Sequence, residues 1–105
     1  MSDAEILRRI YEVLLERKKS LPDASYTASL FRQGEDAILR KVGEETLEVL
    51  LASKAGVESE IVHETADLYF HLLVLLAHHG IPLARIYAEL TDRFGKRRDR
   101  DQREK

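Results

Sequence analysis

The sequence predicts an all-α protein, a helical bundle with two long central helices that is completed by dimerisation. Three observations predict this class. Apolar residues recur at helical spacing along the chain, β-branched alternation is absent, and only two prolines interrupt 105 residues.

The first helix is expected from about Asp3 to about Lys19. Ser2 or Asp3 can cap it, and Ile6, Leu7, Ile10, Val13 and Leu14 form its apolar stripe. Leu21-Pro22-Asp23 ends it, because the residue before a proline is pushed out of helical backbone. A short helix follows from Tyr26 to about Phe31, with Ser25 as N-cap and Gly34 as its stop. The first long helix is expected from about Asp36 to about Lys54, closed by Gly56. The second runs from about Ser59 to His79 and is closed by Gly80. Pro82 suits the first turn of a last helix that ends near Phe94. Residues 1–94 therefore read as one domain, and residues 95–105 as a charged tail, disordered or fraying.

Composition excludes several function classes. The formal net charge of -2 argues against a general positive field for nucleic acid. No cysteine is present, so disulfides and thiolate metal sites fall away. Charged residues interrupt the N-terminus, where a secretion signal would be apolar, and no apolar run approaches the ~18 residues of a membrane span. A cytoplasmic protein without membrane partners is expected.

The chemistry is carried by the phase of the acids. Four acid pairs stand at i and i+3: Glu45/Glu48, Glu64/Asp67, Glu89/Asp92 and Asp101/Glu104. Glu89 and Asp92 fall opposite the apolar face of the last helix, and Asp101 and Glu104 lie in the tail. By contrast, Glu45 and Glu48 line up with Ile38, Val42, Val49 and Ala52. Glu64 and Asp67 line up with Leu68, His71 and Leu75.

Two like charges about 5 Å apart repel by roughly 3 kcal/mol at an effective dielectric of about 20. Two such helices face to face would gather four carboxylates, and a hard divalent cation bound by oxygen would offset their repulsion. Mg²⁺ fits best, since it commonly bridges carboxylates to phosphates, and the natural substrate class is a nucleotide polyphosphate. Glu45, Glu48, Glu64 and Asp67 are thus the expected metal ligands and catalytic residues. As a plainer role, they would be boundary acids paired with Arg40, Lys41 or Lys54. Glu44 points about 100° away from Glu45, and is either a further ligand at the edge or an ion-pair partner of Lys41. His71, one turn after Asp67, reads as a core histidine, a substrate contact or a group that orients a carboxylate. His63, His78 and His79 read as surface or helix-end residues.

The same residues carry a resemblance. Glu45-x-x-Glu48 followed by Glu64-x-x-Asp67 resembles the acidic motif of the MazG-like all-α pyrophosphatases. Within that group, Ser25-Tyr26-Thr27-x-x-Leu30, Lys41-Val42-Gly43-Glu44-Glu45, Ala52-x-Lys54 and Glu64-x-Ala66-Asp67-Leu68-x-x-His71-Leu72-Leu73-Val74-Leu75-Leu76 are similar to the phosphoribosyl-ATP pyrophosphatase family. The likeness runs from the first helix to the last. Thr65 stands where the family usually has alanine, and Phe70 where it has tyrosine. Neither departure touches a carboxylate.

The resemblance implies hydrolysis of phosphoribosyl-ATP to phosphoribosyl-AMP and pyrophosphate, the second step of histidine biosynthesis, by a Mg²⁺-dependent homodimer in its stand-alone form. It implies nucleotide binding by Ser25, Tyr26 and Thr27. Lys41 and Lys54 become candidate phosphate contacts, with Arg32 and Arg40 behind them, and His71 a candidate substrate contact. Three rivals are a house-cleaning nucleoside triphosphate pyrophosphatase with the same metal site, a di-iron bundle and a non-catalytic helical module. Glu60-x-x-His63 matches only half of a di-iron ligand motif.

Overall fold

A computed structural model describes the backbone of residues 1–104 and the side chains of residues 1–97. Five α-helices make up the described residues: α1 (Asp3–Ser20), α2 (Tyr26–Gln33), α3 (Glu35–Ala55), α4 (Glu58–His79) and α5 (Leu83–Glu104).

Local chemistry sets most of the boundaries. The Ser2 hydroxyl accepts from the Glu5 amide and caps α1. The Ser25 hydroxyl accepts from the Ala28 amide and caps α2. Gly34, at φ 98°, ends α2 and begins α3. Gly56 and Gly80 close α3 and α4 in left-handed conformation, where a side chain would be strained. Pro82, expected inside the last helix, immediately precedes it.

The last helix ends later than expected. Its backbone continues from Phe94 through Gly95 to Glu104, so the stretch expected to be disordered is helical over residues 95–104. Charged residues that bury nothing can still complete backbone hydrogen bonds, and ion pairs one turn apart support them: Arg93 with Glu89 at 2.9 Å and Lys96 with Asp92 at 3.0 Å. The side chains from Arg98 onward, Asp101 and Glu104 included, lie outside the described residues.

The core is a single cluster. Tyr11 and Leu14 of α1, Leu30 of α2, Ile38 of α3, Leu73, Val74 and Ala77 of α4 and Leu83 of α5 meet there. Tyr11 donates its hydroxyl to the Ile81 carbonyl, and Lys18 donates to the carbonyls of Ala77 (2.9 Å) and His78 (3.1 Å). These bonds satisfy acceptors at the end of α4 and pin α1 across it. α3 and α4 form the closest-packed pair, an antiparallel hairpin.

The chain is elongated and leaves apolar residues uncovered. The radius of gyration is 16.4 Å, whereas a compact chain of this length would have about 13 Å. Leu39, Leu47 and Leu50 of α3, and Val62, Tyr69 and Leu72 of α4, remain exposed. On α5 the exposed apolar residues are Ile86, Leu90 and Phe94.

Candidate active site

The site lies along the α3–α4 hairpin, with α2 set against it. Glu45 projects from the packed face of α3 and is buried, its side chain 12 % exposed. An acid in that place needs a cation. Lys41, one turn earlier, supplies it at 3.2 Å from Glu45 Oε1, and also lies 3.4 Å from Glu44 Oε2. The Glu45 carboxylate holds the Lys41 ammonium above the ordinary lysine range, against the opposing effect of burial.

The other acids approach from both helices. Glu48 of α3 and Glu64 of α4 line one small cavity with Leu51 and Ala52. Glu60 lines it too. It lies one turn before Glu64, and in the sequence it stands out only as part of an incomplete di-iron motif. The i,i+4 spacing of Glu60 and Glu64 was the available signal. On the other side of Glu64, ligand atoms of His63, Glu64 and Asp67 lie within 4.8 Å of one another. His63 is exposed, as expected, and its Nε2 sits 3.5 Å from Asp67 Oδ2.

Of the Ser25-Tyr26-Thr27 segment, Tyr26 alone turns its ring to the acids. Ser25 spends its hydroxyl on the α2 cap, and Thr27 is buried on the α1 side, beside Leu14 and Phe70. The Tyr26 hydroxyl lies 2.9 Å from His71 Nε2. Burial raises the Tyr26 phenol pKa. Lys41 opposes that rise, while Glu45, Glu44 and Asp67 add to it. Those four charges therefore act on the phenol.

His71 is buried and uses both ring nitrogens within the protein, Nε2 with Tyr26 and Nδ1 at 2.8 Å from the Asp67 carbonyl. Lys54 is exposed in the last turn of α3, where positive charge suits the helix terminus, and makes no salt bridge among the described residues. Arg32 is turned to the Leu21 carbonyl and to Asp23, away from the acids. His78 and His79 sit in the last turn of α4 beside Glu35, at 3.7 and 2.8 Å.

His63, Glu64 and Asp67 of α4 can together hold a cation, and Glu48 of α3 shares the neighbouring cavity with Glu64. Apart from His63 the donors are carboxylate oxygens, with no thiol in the chain. A buried acid is balanced there by one lysine. That chemistry fits Mg²⁺ and does not fit a thiolate-bound metal.

Comparison with known proteins adds identity to geometry. Residues 7–94 match the family described as phosphoribosyl-ATP pyrophosphohydrolase. A phosphoribosyl-ATP pyrophosphatase of Geobacter sulfurreducens is 59 % identical over 91 residues, covering 87 % of this chain and 84 % of that protein. One of Pelotomaculum thermopropionicum is 53 % identical over 97 residues, 92 % of this chain and 99 % of that protein. One of Leptospira biflexa is 51 % identical over 89 residues, 85 % of this chain and 97 % of that protein.

Proposed function

The chain belongs to the phosphoribosyl-ATP pyrophosphohydrolase family, and we propose that the acid-lined face of its α3–α4 hairpin is where it carries out that reaction. It hydrolyses phosphoribosyl-ATP to phosphoribosyl-AMP and pyrophosphate, the second step of histidine biosynthesis. Water attacks phosphorus, the anhydride bond to the pyrophosphate group breaks, and pyrophosphate leaves.

The observation that carries the site assignment is Glu45, an acid on a packed face, balanced by Lys41. Glu45, Glu48, Glu64 and Asp67 would hold Mg²⁺, with Glu44 and Glu60 at the edge. Bound there, Mg²⁺ supplies Lewis-acid polarisation of the phosphate oxygens and acidifies water. A carboxylate among the four that is not engaged with the cation accepts the attacking water's proton. Lys41 can turn from Glu44 and Glu45 to a phosphate oxygen and stabilise charge on the leaving group. Tyr26 contacts the substrate, and Ser25 and Thr27 hold Tyr26 in place through the α2 cap and the core. Lys54 and Arg40 are secondary candidates for the phosphates.

The working unit is proposed to be a cytoplasmic homodimer. No helix among the described residues is long and apolar enough to cross a membrane. The uncovered leucines of α3 and the uncovered Val62, Tyr69 and Leu72 of α4 support a second copy packed on the hairpin, as in a four-helix bundle. The catalytic unit is residues 1–94, a boundary supported by the family match ending at Phe94. The charged segment after it lies outside that unit.

The reaction is tested by incubating the protein with phosphoribosyl-ATP and, separately, with a panel of nucleoside triphosphates, with and without Mg²⁺, while assaying pyrophosphate. Release from phosphoribosyl-ATP only when Mg²⁺ is present is expected. Turnover of the triphosphates alone would instead support a house-cleaning pyrophosphatase.

A further inference from the structure

We propose that His71 is a positioning residue that fixes the hydroxyl proton of Tyr26, so that Tyr26 meets the substrate as a hydrogen-bond acceptor and reads a donor group, a sugar hydroxyl or the adenine amino group, rather than a phosphate oxygen. This rests on the site assignment made above.

The proton positions follow from the two partners of the ring. His71 Nδ1 lies 2.8 Å from the Asp67 carbonyl oxygen, which can only accept, so Nδ1 carries the proton. A neutral imidazole has one ring proton, so Nε2 is left as an acceptor. The Tyr26 hydroxyl, 2.9 Å from Nε2, must donate to it. The relay therefore runs one way: Tyr26 O–H to Nε2, then Nδ1–H to the Asp67 carbonyl.

The ring has little freedom to rearrange. His71 is 5 % exposed. Phe70 meets it edge to face at 5.3 Å, and the Tyr26 ring does so at 5.9 Å. With its only proton committed, the phenol oxygen offers lone pairs alone. A phosphate oxygen has nothing to receive from it, whereas a hydroxyl or amino group has. Lys41, whose charge acts on the phenol, is held by Glu44 and Glu45 and can turn from them to the phosphates. The two side chains would thus divide the substrate, donor-bearing groups to Tyr26 and phosphate to Lys41.

Two measurements test this. The first is the pair of His71 ring ¹⁵N shifts in labelled, metal-free protein near pH 8. A protonated Nδ1 with an unprotonated Nε2 is expected, and an Nε2–H tautomer or an imidazolium would overturn the proposal. The second is kinetic. Tyr26→Phe keeps the ring and removes the acceptor, and should raise KM for phosphoribosyl-ATP about tenfold while kcat changes less than about threefold, the scale for one lost hydrogen bond. His71→Gln, which can return an acceptor near the Nε2 position, should recover most of the KM lost in His71→Leu. His71→Leu added to Tyr26→Phe should raise KM no further. If His71→Leu does not fold, the shifts, Tyr26→Phe and His71→Gln still decide. Should Glu64→Gln abolish turnover while Tyr26→Phe leaves KM unchanged, the acceptor role is overturned and the site assignment stands. Should both variants turn over like wild type, both readings fall.

Discussion

Lys41 and Glu45 face each other one turn apart on α3, Nζ to Oε1 at 3.2 Å, on a face that otherwise packs against α4. Lys41 Nζ also lies 3.4 Å from Glu44 Oε2, so one ammonium serves two carboxylates. A cation built into the chain thus holds part of the acid cluster together without metal.

Lys41→Met should therefore destabilise the metal-free protein. Lys41 is 31 % exposed, and solvent keeps the cost below that of a fully buried pair, at about 1–2 kcal/mol. The pKa of Lys41 is raised in the folded state. Its contribution is then fully present below the ordinary lysine value of about 10.4 and is lost as pH rises through the folded value. Urea titrations at pH 7, 9 and 11 should show a gap between wild type and variant at the first two and a narrower one at the last. Superimposed curves at pH 7 would mean that the pair contributes nothing.

Mg²⁺ should stabilise the fold as well as support turnover, because it binds the native acid cluster and relieves its repulsion. At a hundredfold excess over its dissociation constant the gain is about 2.7 kcal/mol, several degrees in the midpoint for a domain of this size. Thermal melts in excess EDTA and in millimolar Mg²⁺ make the comparison. Coincident melts, together with full turnover in chelator, would contradict a metal site here.

Glu48→Gln, Glu64→Gln and Asp67→Asn should each cost at least about a hundredfold in kcat and leave the helical circular dichroism unchanged. Removing one charge from a repelling cluster should leave metal-free stability equal to wild type or slightly higher. Glu89→Gln is the matched control. Glu89 is exposed on α5 and pairs only with Arg93 in the salt bridges described, so activity should stay within about twofold. Equal losses in Glu64→Gln and Glu89→Gln would show that helical phase does not separate functional from solvated acids.

Sedimentation equilibrium at micromolar concentration should give twice the mass of a single chain. Leu50→Asp and Val62→Asp, each placing a charge on an exposed apolar position of the hairpin, should shift the species toward monomer. Their single-chain cores are untouched, so the helical signal should persist. A wild-type mass at the single-chain value with full activity would show that nothing covers this face.

How much of this was legible before folding depends on the range of the interactions. The helix boundaries were readable at Ser2, Ser25, Gly34, Gly56 and Gly80, because a cap or a left-handed residue acts within a few positions of itself. The placement of Glu45 was readable for the same reason, since phase along one helix is local. α5 runs past the expected end near Phe94, because a charged composition says that a segment buries nothing and does not say that its backbone is unbonded.

Five helices, the family and the acid-bearing faces of α3 and α4 follow from residue order alone. Packing between the helices sets the rest. Tyr26 reaches His71 across 45 positions of chain, Lys18 reaches the Ala77 carbonyl across 59, and Glu60 shares a cavity with Glu48. Thr27 turned inward and Tyr26 outward although they are neighbours in sequence. Periodicity fixes which residues share a face of one helix. Which two faces meet, and at what offset along their axes, is set by side chains packing together in the core, and no spacing within a single helix encodes that.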